Sequence, residues 1–343
     1  MLQQTQVKTV VPYWERWMRA LPTVEALARA RPENVLKLWE GLGYYTRARN
    51  LHQAAKVVVA RCGGCFPEEF AGILALPGIG RYTAGAICSI AFNQPRPVLD
   101  GNVTRVLARV FGIEADLRGS KTRALLWQLA ERLVQRAYVA QRGSARDCSS
   151  LNQALMELGA VICAPRSPRC SECPLRSVCR AYQQGRVNDL PSSDRRVAPT
   201  ARRFIAFVAE RHGRFLVRQR PAGGVNANLW EFPNLEVTCG QPEVGDLALG
   251  LLRATPCSLR ALGKIEHTIT RYRITMEVHH ARFDGAAPDP ARRDRWLTLR
   301  QLDRLAFPSA HRKVLQLAAS LREAGSKPRS RARVKGVPTA VLA

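Results

Sequence analysis

Four cysteines near the middle of the chain have a spacing that suits a metal site. Cys163, Cys170, Cys173 and Cys179 form the pattern C-x6-C-x2-C-x5-C within seventeen residues. Thiols at this density are usually explained by disulfides or by a metal. Residues 1–6 are polar where a secretory signal needs an apolar stretch. We therefore expect a reducing, cytoplasmic location, in which metal ligation is favoured over disulfides.

The arrangement of these cysteines favours an iron–sulfur cluster over zinc. Structural zinc is commonly held by two C-x2-C pairs well apart in sequence, whereas here one pair is flanked by single cysteines. Four thiolates of this kind suit a [4Fe–4S] cluster. The same stretch contains four arginines, which either contact phosphates or form a solvated charge run: Arg166, Arg169, Arg176 and Arg180. A separate C-G-G-C, Cys62 to Cys65, is interpreted as a tight turn rather than a second metal or redox site.

Two further motifs place chemically useful groups at the starts of helices. Residues 76–85 read L-P-G-I-G-R-Y-T-A-G. Gly78 and Gly80 lack a Cβ, so the backbone can approach another surface closely, and the helix that follows offers N–H groups to an anion. Any helix–helix turn could use the same glycines. Fifteen residues beyond Gly85, Asp100 stands in P-V-L-D-G-N-V, where the default role of an aspartate is to cap the following helix.

The charge balance indicates a polyanionic partner. The 343-residue chain has 53 Lys and Arg against 27 Asp and Glu, a formal net charge of +26. Neutralising phosphates and releasing their counterions favours binding whatever the base sequence. Nucleic acid is the first expectation, and a ribosome, an anionic membrane or a merely solvated basic surface are the alternatives. No run approaches the roughly 18 apolar residues that span a bilayer, which predicts that no membrane is involved.

The elements that carry these motifs change character near residue 200. Helical periodicity is expected over 7–21, followed by a second helix capped at Thr23, a third opened by Pro32, and short helices to about residue 158. Residues 184–203 read as a linker. Two strands, 204–208 and 214–218, are joined by a predicted turn at 211–213, alternation returns at 271–278, and a last helix covers 310–321.

Several motifs together resemble one family of DNA-repair enzymes. The motifs are M-L-Q-Q-T-Q-V at 1–7, G-L-G-Y-Y-T-R-A-R-N-L at 41–51, the 76–85 hairpin, V-L-D-G-N-V at 98–103, N-Q-A-L-M-E-L-G at 152–159, and the four-cysteine pattern. This combination resembles the MutY-type adenine DNA glycosylases of the endonuclease III superfamily. L-W-E-F-P at 229–233 resembles the signature of the Nudix-like domain in that family.

The resemblance implies an α + α/β fold class. An all-α helix-hairpin-helix glycosylase domain would cover 1–183, with its [4Fe–4S] loop at 163–179. A linker at 184–203, a Nudix-like α/β domain at 204–322 and a basic, disordered tail at 323–343 would follow. The implied activity is base-excision repair by a monomer, with double-stranded DNA containing A·8-oxoguanine or A·G mispairs as partner.

The resemblance also implies residue roles. Asp100, accompanied by Asn102, would face the sugar of a flipped nucleotide and stabilise its oxocarbenium-like transition state, as in glycoside hydrolysis. Tyr82 stands where bifunctional relatives carry a Schiff-base lysine, so base removal without strand cleavage is expected. The remaining DNA- or base-binding residues implied are Gln3, Gln4, Tyr44, Arg49, Gly78, Gly80, Glu157 and Thr270.

Two departures from the family pattern leave alternative functions open. The family's general-acid glutamate falls two residues before Met1, which we interpret as a mis-called start or a fragmentary gene. We expect the sequence from Met1 onward to be nearly inactive and the same chain with its upstream codons to excise adenine. A non-catalytic iron–sulfur DNA-binding relative is one alternative. A thymine, uracil or oxidised-pyrimidine glycosylase is another, which the 1–7 and 41–51 motifs disfavour. Arg271 replaces a histidine in the loop that inspects 8-oxoguanine, while Thr270 keeps a hydroxyl, so the sequence leaves the preference for 8-oxoguanine over guanine open.

Overall fold

The computed structural model of the protein describes residues 1–3, 5–140, 146–192, 198–238, 243–269 and 271–325. Up to residue 183 the described chain is helical. Its helices are α1 (Val7–Ala20), α2 (Val24–Arg29), α3 (Pro32–Trp39), α4 (Thr46–Cys62), α5 (Phe70–Leu74), α6 (Arg81–Phe92), α7 (Gly101–Phe111), α8 (Ser120–Ala140), α9 (Asp147–Glu157) and α10 (Arg180–Gln183). A π-helical stretch, Leu158–Ile162, continues α9, and short 3-10 turns span Cys170–Glu172 and Arg176–Val178.

The helix boundaries follow local chemistry. The Thr23 side chain accepts a hydrogen bond from the Ala26 N–H at 3.1 Å, which confirms the predicted cap of α2. Pro32 is the first residue of α3, where its missing N–H costs nothing. Helix α7 ends at Gly112, whose φ of 64° suits a residue without a Cβ. The predicted turn after Cys62 is also present, because Gly63 and Gly64 both have positive φ.

After residue 200 the described chain forms a mixed β-sheet flanked by helices. The strands are β1 (Thr200–Arg211), β2 (Arg214–Gln219), β3 (Trp230–Glu231), β4 (Asn234–Val237), β5 (Ser258–Ile269), β6 (Tyr272–Arg282) and β7 (Asp294–Leu297), and the helices are α11 (Val244–Leu252), α12 (Leu299–Leu302) and α13 (Ser309–Gly325). The order is β3-β2-β1-β6-β5, with β4 paired to β1 and β7 to β2. Only β1 and β6 pair in parallel among the described pairs.

The sequence pattern explains this sheet. Strand β1 has an unbroken buried run at 205–209, as expected for a central strand covered on both faces. One face packs on α13 through Phe215 and Val314, and the other packs on α11 through Phe207 and Leu252. The predicted hairpin is confirmed, because β1 and β2 meet across His212 and Gly213, which both have positive φ.

Contacts divide the chain into two compact units that differ from the boundaries predicted from the sequence. The first unit contains Met1–Arg19, Arg31–Ala48 and Val197–Ala343, and the second contains Ala20–Ala30 and Arg49–Arg196. Two N-terminal segments thus group with the sheet rather than with the remaining helices, because side chains of 37–45 bond the chain near residue 306. Of the predicted tail, residues 326–343 lie outside the described part. In the described part, no helix has the length and apolar character of a membrane span.

Candidate active site

The hairpin between α5 and α6 depends on its two glycines. Gly78 has a φ of 80°, and a Cβ there would lie 2.5 Å from the Cβ of Asn50, so any larger residue would be strained and would displace Asn50. Gly80 occupies the N-cap of α6 and leaves its first turn without a side-chain cap. The helix start therefore has no capping side chain to compete with an anion. Sequence reasoning identified both glycines and missed Asn50.

Asp100 is held at the start of α7. One carboxylate oxygen, Oδ1, accepts a hydrogen bond from the Val103 N–H at 2.7 Å, so Asp100 does cap helix α7. The other oxygen, Oδ2, accepts a longer hydrogen bond of 3.3 Å from the side-chain amide of Asn102. Capping thus fixes the direction of the carboxylate through one oxygen. The side chain is half-buried. Because the hydrogen bond from Asn102 is long, the second oxygen is only weakly engaged by the protein.

A close backbone approach supports the segment before Asp100. A Cβ on Gly85 would lie 2.2 Å from the carbonyl oxygen of Pro97, so only glycine allows α6 to come this near. Val98 is completely buried beside it. Helix α6 therefore carries both the hairpin at its start and the surface against which the segment before Asp100 packs. The sequence shows Gly85 as part of a motif but gives no sign of its contact with Pro97.

Tyr82 lies close enough to Asp100 to sense its charge. Burial raises the pKa of the Tyr82 phenol above its usual range, and the negative charge of Asp100 raises the pKa further. The hydroxyl contacts the sulfur of Met156 at 3.4 Å. Tyr82 is therefore a neutral phenol at neutral pH, and it has no amine that could form a Schiff base. The structure brings Tyr82, Asp100 and Asn102 together, as the roles implied by the resemblance require.

Arg105, which sequence reasoning did not single out, joins this group to the start of the cysteine loop. Its guanidinium donates to Asn102 Oδ1 at 2.9 Å and to the Gly159 carbonyl at 2.6 Å. Its Nε donates to the Cys163 carbonyl at 2.8 Å. Gly159 also makes room, because a Cβ there would lie 2.7 Å from the Asn102 Cβ. Asn102 is thereby fixed from two sides.

All four predicted ligand cysteines line one cavity. The rest of its wall is largely apolar and includes Val106, Val110, Leu158, Ile162 and Leu175. The four thiols are free. Burial raises the pKa of Cys170, the other three sulfurs raise it further, and the Arg109 guanidinium lowers it. The cysteines are thus close enough to interact electrostatically across the cavity.

Arg109 is the buried cation of this cavity. It is 2% exposed, and its guanidinium donates to Cys163 Sγ at 3.3 Å, to the Ala164 carbonyl at 2.8 Å and to the Leu190 carbonyl at 2.7 Å. A buried cation at this distance from a ligand sulfur complements the negative charge of a metal-bound thiolate. The donor set therefore fits an anionic thiolate-ligated group. The described His, Cys, Asp and Glu side chains do not form a compact group for a single metal ion.

The other residues implied by the resemblance are distributed over both units. In the second unit, Glu157 is exposed at the end of α9, and burial lowers the pKa of Arg49. In the first unit, Tyr44 is 56% exposed and has a φ of 45°. Gln3 is exposed. Gln4 and Thr270 lie outside the described residues.

Sequence reasoning did not single out Arg47, which organises the first unit's N-terminal residues. Its guanidinium donates to the carbonyls of Met1 at 3.0 Å and of Leu42 at 3.2 Å, and it also bonds the Gln3 carbonyl. The same group lies 5.7 Å from the centre of the Tyr44 ring. One side chain thus ties the start of the chain to the 41–44 loop. A single arginine in the first turn of a helix gives no sequence signal for such a role.

Comparisons with known proteins agree with the observed domain types. The sequence model of the HhH-GPD superfamily of base excision DNA repair proteins matches residues 1–132, and that of the NUDIX domain matches residues 205–317. These matches confirm the predicted order of a helical glycosylase-type domain and a Nudix-like sheet domain.

Relatives that match most of the chain give the same result. An adenine DNA glycosylase of Rattus norvegicus is 37% identical over 370 residues, which cover 92% of this chain and 70% of that protein. The adenine DNA glycosylase of Homo sapiens is 36% identical over 375 residues, which cover 92% and 66%. That of Schizosaccharomyces pombe is 37% identical over 280 residues, which cover 69% and 58%.

Proposed function

The chain belongs to the adenine DNA glycosylase family, and from this premise we propose that it hydrolyses the N-glycosidic bond of adenine in duplex DNA. The proposed substrate is adenine opposite 8-oxoguanine or guanine. The observation that carries the proposal is the half-buried carboxylate of Asp100, fixed at the head of α7 and accompanied by Asn102 and Tyr82. The curated relatives do not favour the non-catalytic alternative.

The arrangement around Asp100 suits a dissociative hydrolysis. As the C1′–N9 bond breaks, its electron pair leaves with adenine, which takes up a proton from solvent, and positive charge develops on the sugar. The carboxylate stabilises that charge most effectively because Oδ1 is already fixed by the cap and need not reorganise. Water then adds to C1′ and releases a proton. Because Tyr82 is a neutral phenol, the sugar is not captured by an amine and the strand stays intact.

DNA would be held by the hairpin and the basic surface. Gly78 and Gly80 allow a phosphate to approach the uncapped start of α6. The formal charge of +26 adds a sequence-independent attraction that weakens with salt. Extruding the target nucleotide brings its sugar to Asp100, as base chemistry in a duplex requires.

The four cysteines would hold a [4Fe–4S] cluster in the cavity beside Arg109. When bound, the cluster would crosslink residues 163–179 through its iron atoms and the four cysteine thiolates. The Cys163 carbonyl anchors Arg105, whose guanidinium orients Asn102. Measuring iron and acid-labile sulfide in the purified protein tests this assignment. Equal contents, near four of each per chain, are expected, and bound zinc without sulfide would contradict it.

A single-turnover assay tests the proposed reaction. The rate of adenine excision from duplexes with A·8-oxoguanine, A·G and A·T pairs is measured for the parent protein and for Asp100→Asn. Asparagine caps helices as well as aspartate does, so this substitution removes the charge and retains the fold. The excision rate should fall at least ~10²-fold, as for loss of one transition-state electrostatic contact.

The matched control is Asp116→Asn, because Asp116 Oδ1 also accepts a backbone N–H, that of Arg118 at 2.9 Å, at an exposed site. Its excision rate should equal that of the parent. Equal rates for Asp100→Asn and the parent would refute the proposed role. Tight, mispair-selective binding without any excision would support the non-catalytic alternative instead.

A further inference from the structure

Glu40 is the centre of a bonded group that we name the clasp: the side chains of Lys37, Glu40, Tyr45 and Arg312 with the backbone of 305–307. The Glu40 carboxylate accepts hydrogen bonds from Arg312 Nε at 2.9 Å and Nη2 at 2.6 Å. It also accepts from Lys37 Nζ at 2.7 Å and from the Phe307 N–H at 2.9 Å. Its side chain is 15% exposed. Charged hydrogen bonds in such a site are stronger than those at the surface.

Tyr45 makes the second attachment of the clasp. It is 3% exposed, and its hydroxyl donates to the Phe307 carbonyl at 3.1 Å while accepting the Gly41 N–H at 3.1 Å. Burial raises the pKa of this phenol to about 12, so the hydroxyl keeps its proton at neutral pH. Both hydrogen bonds are therefore available under physiological conditions.

The clasp also saturates the carbonyl of Leu305. That oxygen accepts from Lys37 Nζ at 3.0 Å and from Arg312 Nη2 at 2.9 Å. Three backbone groups of 305–307 are thus bonded by side chains of the clasp. The segment between α12 and α13 is thereby tied to the residues on both sides of the 41–44 loop, all within the first compact unit.

The loop between Glu40 and Tyr45 holds an exposed aromatic ring in a costly backbone conformation. Gly41 and Gly43 have φ of 101° and 70°, and Tyr44 has a φ of 45°. Positive φ at a residue with a large side chain persists only where its surroundings enforce it. Tyr44 is nevertheless 56% exposed, so packing of its own side chain does not supply the constraint. Hydrogen bonds supply it instead: inside the loop, Trp39 Nε1 donates to the Gly43 carbonyl at 3.1 Å and Arg47 to the Leu42 carbonyl at 3.2 Å. The clasp adds the attachment of the two ends of the loop.

We propose that Glu40, Tyr45 and Arg312 are positioning residues that hold the Tyr44 ring ready to stack on a DNA base. This inference rests on the proposed function, because it takes DNA as the ligand. An exposed ring beside the Arg47 guanidinium, 5.7 Å from its centre, is suited to stacking against a base next to phosphates. A ring fixed before binding loses less conformational freedom when it stacks.

A double-mutant cycle tests the role of the clasp. Affinity for an A·8-oxoguanine duplex is measured for the parent, Glu40→Gln, Tyr44→Ala, and the two combined. Glu40→Gln should weaken binding about tenfold, within the range of one lost base–aromatic stack. In the Tyr44→Ala background the same substitution should change affinity less than twofold. Equal losses in both backgrounds would overturn the proposal, because they would show a general structural effect.

The matched control is Glu277→Gln. Glu277 also accepts two hydrogen bonds from one arginine, Arg203, both at 3.0 Å, but the arginine side chain is 59% exposed. This control should bind like the parent. Tyr45→Phe, which removes only the hydroxyl, gives an independent variant if Glu40→Gln folds poorly, and its effect should likewise vanish in the Tyr44→Ala background.

Hydrogen exchange separates failure of this inference from failure of the proposed function. In Glu40→Gln and Tyr45→Phe, backbone amides of 41–45 should exchange about tenfold faster, as for a loop that opens locally, with exchange elsewhere unchanged. If the parent does not prefer mispaired DNA, the proposed function fails, yet faster exchange at 41–45 still supports the clasp. Unchanged exchange at 41–45 in both variants would overturn it.

Discussion

Replacing Gly159 by alanine tests whether catalysis depends on the close packing behind Asn102. A Cβ at Gly159 would lie 2.7 Å from the Asn102 Cβ and 2.9 Å from both its carbonyl carbon and oxygen. Ordinary contacts of this kind begin near 3.4 Å, so the start of α7 must shift by roughly 0.7 Å. Asn102 and the neighbouring Asp100 move with it.

The added Cβ should lower both the free energy of unfolding and the excision rate. Overpacking costs about 1–3 kcal/mol, and alanine returns up to about 1 kcal/mol of helix propensity, so we expect a net loss of about 0–3 kcal/mol in the free energy of unfolding. A domain of ordinary stability, about 5–15 kcal/mol, stays folded. A displacement approaching 1 Å at a catalytic group costs up to ~10²-fold in rate, so the excision rate at Gly159→Ala should fall ~10- to 100-fold.

Single-turnover excision and thermal unfolding are measured together for this variant. The control is Gly250→Ala in α11, where an added Cβ meets nothing within 4 Å. There, unfolding should cost about 0.4–1 kcal/mol more, with the excision rate unchanged. A Gly159→Ala protein that is as fast as the parent would refute the argument that this contact sets the position of Asp100. A rate loss accompanied by complete unfolding would refute the expectation that the fold survives this substitution.

Three further predictions concern other parts of the chain. Burial lowers the pKa of His311 to about 3. Below pH ~6.5 the unfolded chain therefore takes up a proton at this histidine while the folded chain does not, which lowers the free energy of unfolding by about 1.4 kcal/mol at pH 5.5. Urea unfolding of His311→Gln should show a flatter pH dependence between pH 6.5 and 4, and curves parallel to the parent would count against this prediction. Arg109→Met should lower iron content per chain because the buried cation beside Cys163 is lost, and normal iron content would exclude that role. Residues 324–343 carry five basic and no acidic side chains; deleting them should reduce the slope of log affinity against log salt by up to ~4 if they contact phosphates, and an unchanged slope would dismiss the contact.

Local chemistry made much of the fold predictable from the sequence. Three features depend only on residues adjacent in the chain: the cap at Thr23, the proline that opens α3, and the turn at His212–Gly213. A local sequence pattern is therefore enough to predict each of them. The unbroken apolar run of β1 similarly reports burial on both faces of the sheet. The cysteine spacing, the hairpin and the Asp100 motif were also legible, because each is a short pattern of residue types.

Contacts between distant segments were not predictable in this way. The predicted boundary at residue 183 assigned 31–48 to the helical part, whereas the contacts group these residues with the sheet. The reason is a set of long-range hydrogen bonds, such as Glu40 to Arg312 and Tyr45 to Phe307. A glutamate and a tyrosine at those positions look like ordinary surface and core residues until their partners are known.

The groups that could do chemistry are recognisable from residue types and spacing alone: a carboxylate, a phenol in place of an amine, and four thiols at a cluster-like spacing. How those groups are held becomes visible only in the fold. One oxygen of Asp100 caps a helix while the other stays weakly engaged, and Arg105 bonds both Asn102 and the carbonyl of Cys163, 58 residues further along the chain. The physical reason is that reactivity is a property of a residue type, whereas orientation depends on packing between segments whose separation in sequence carries no signal of their contact.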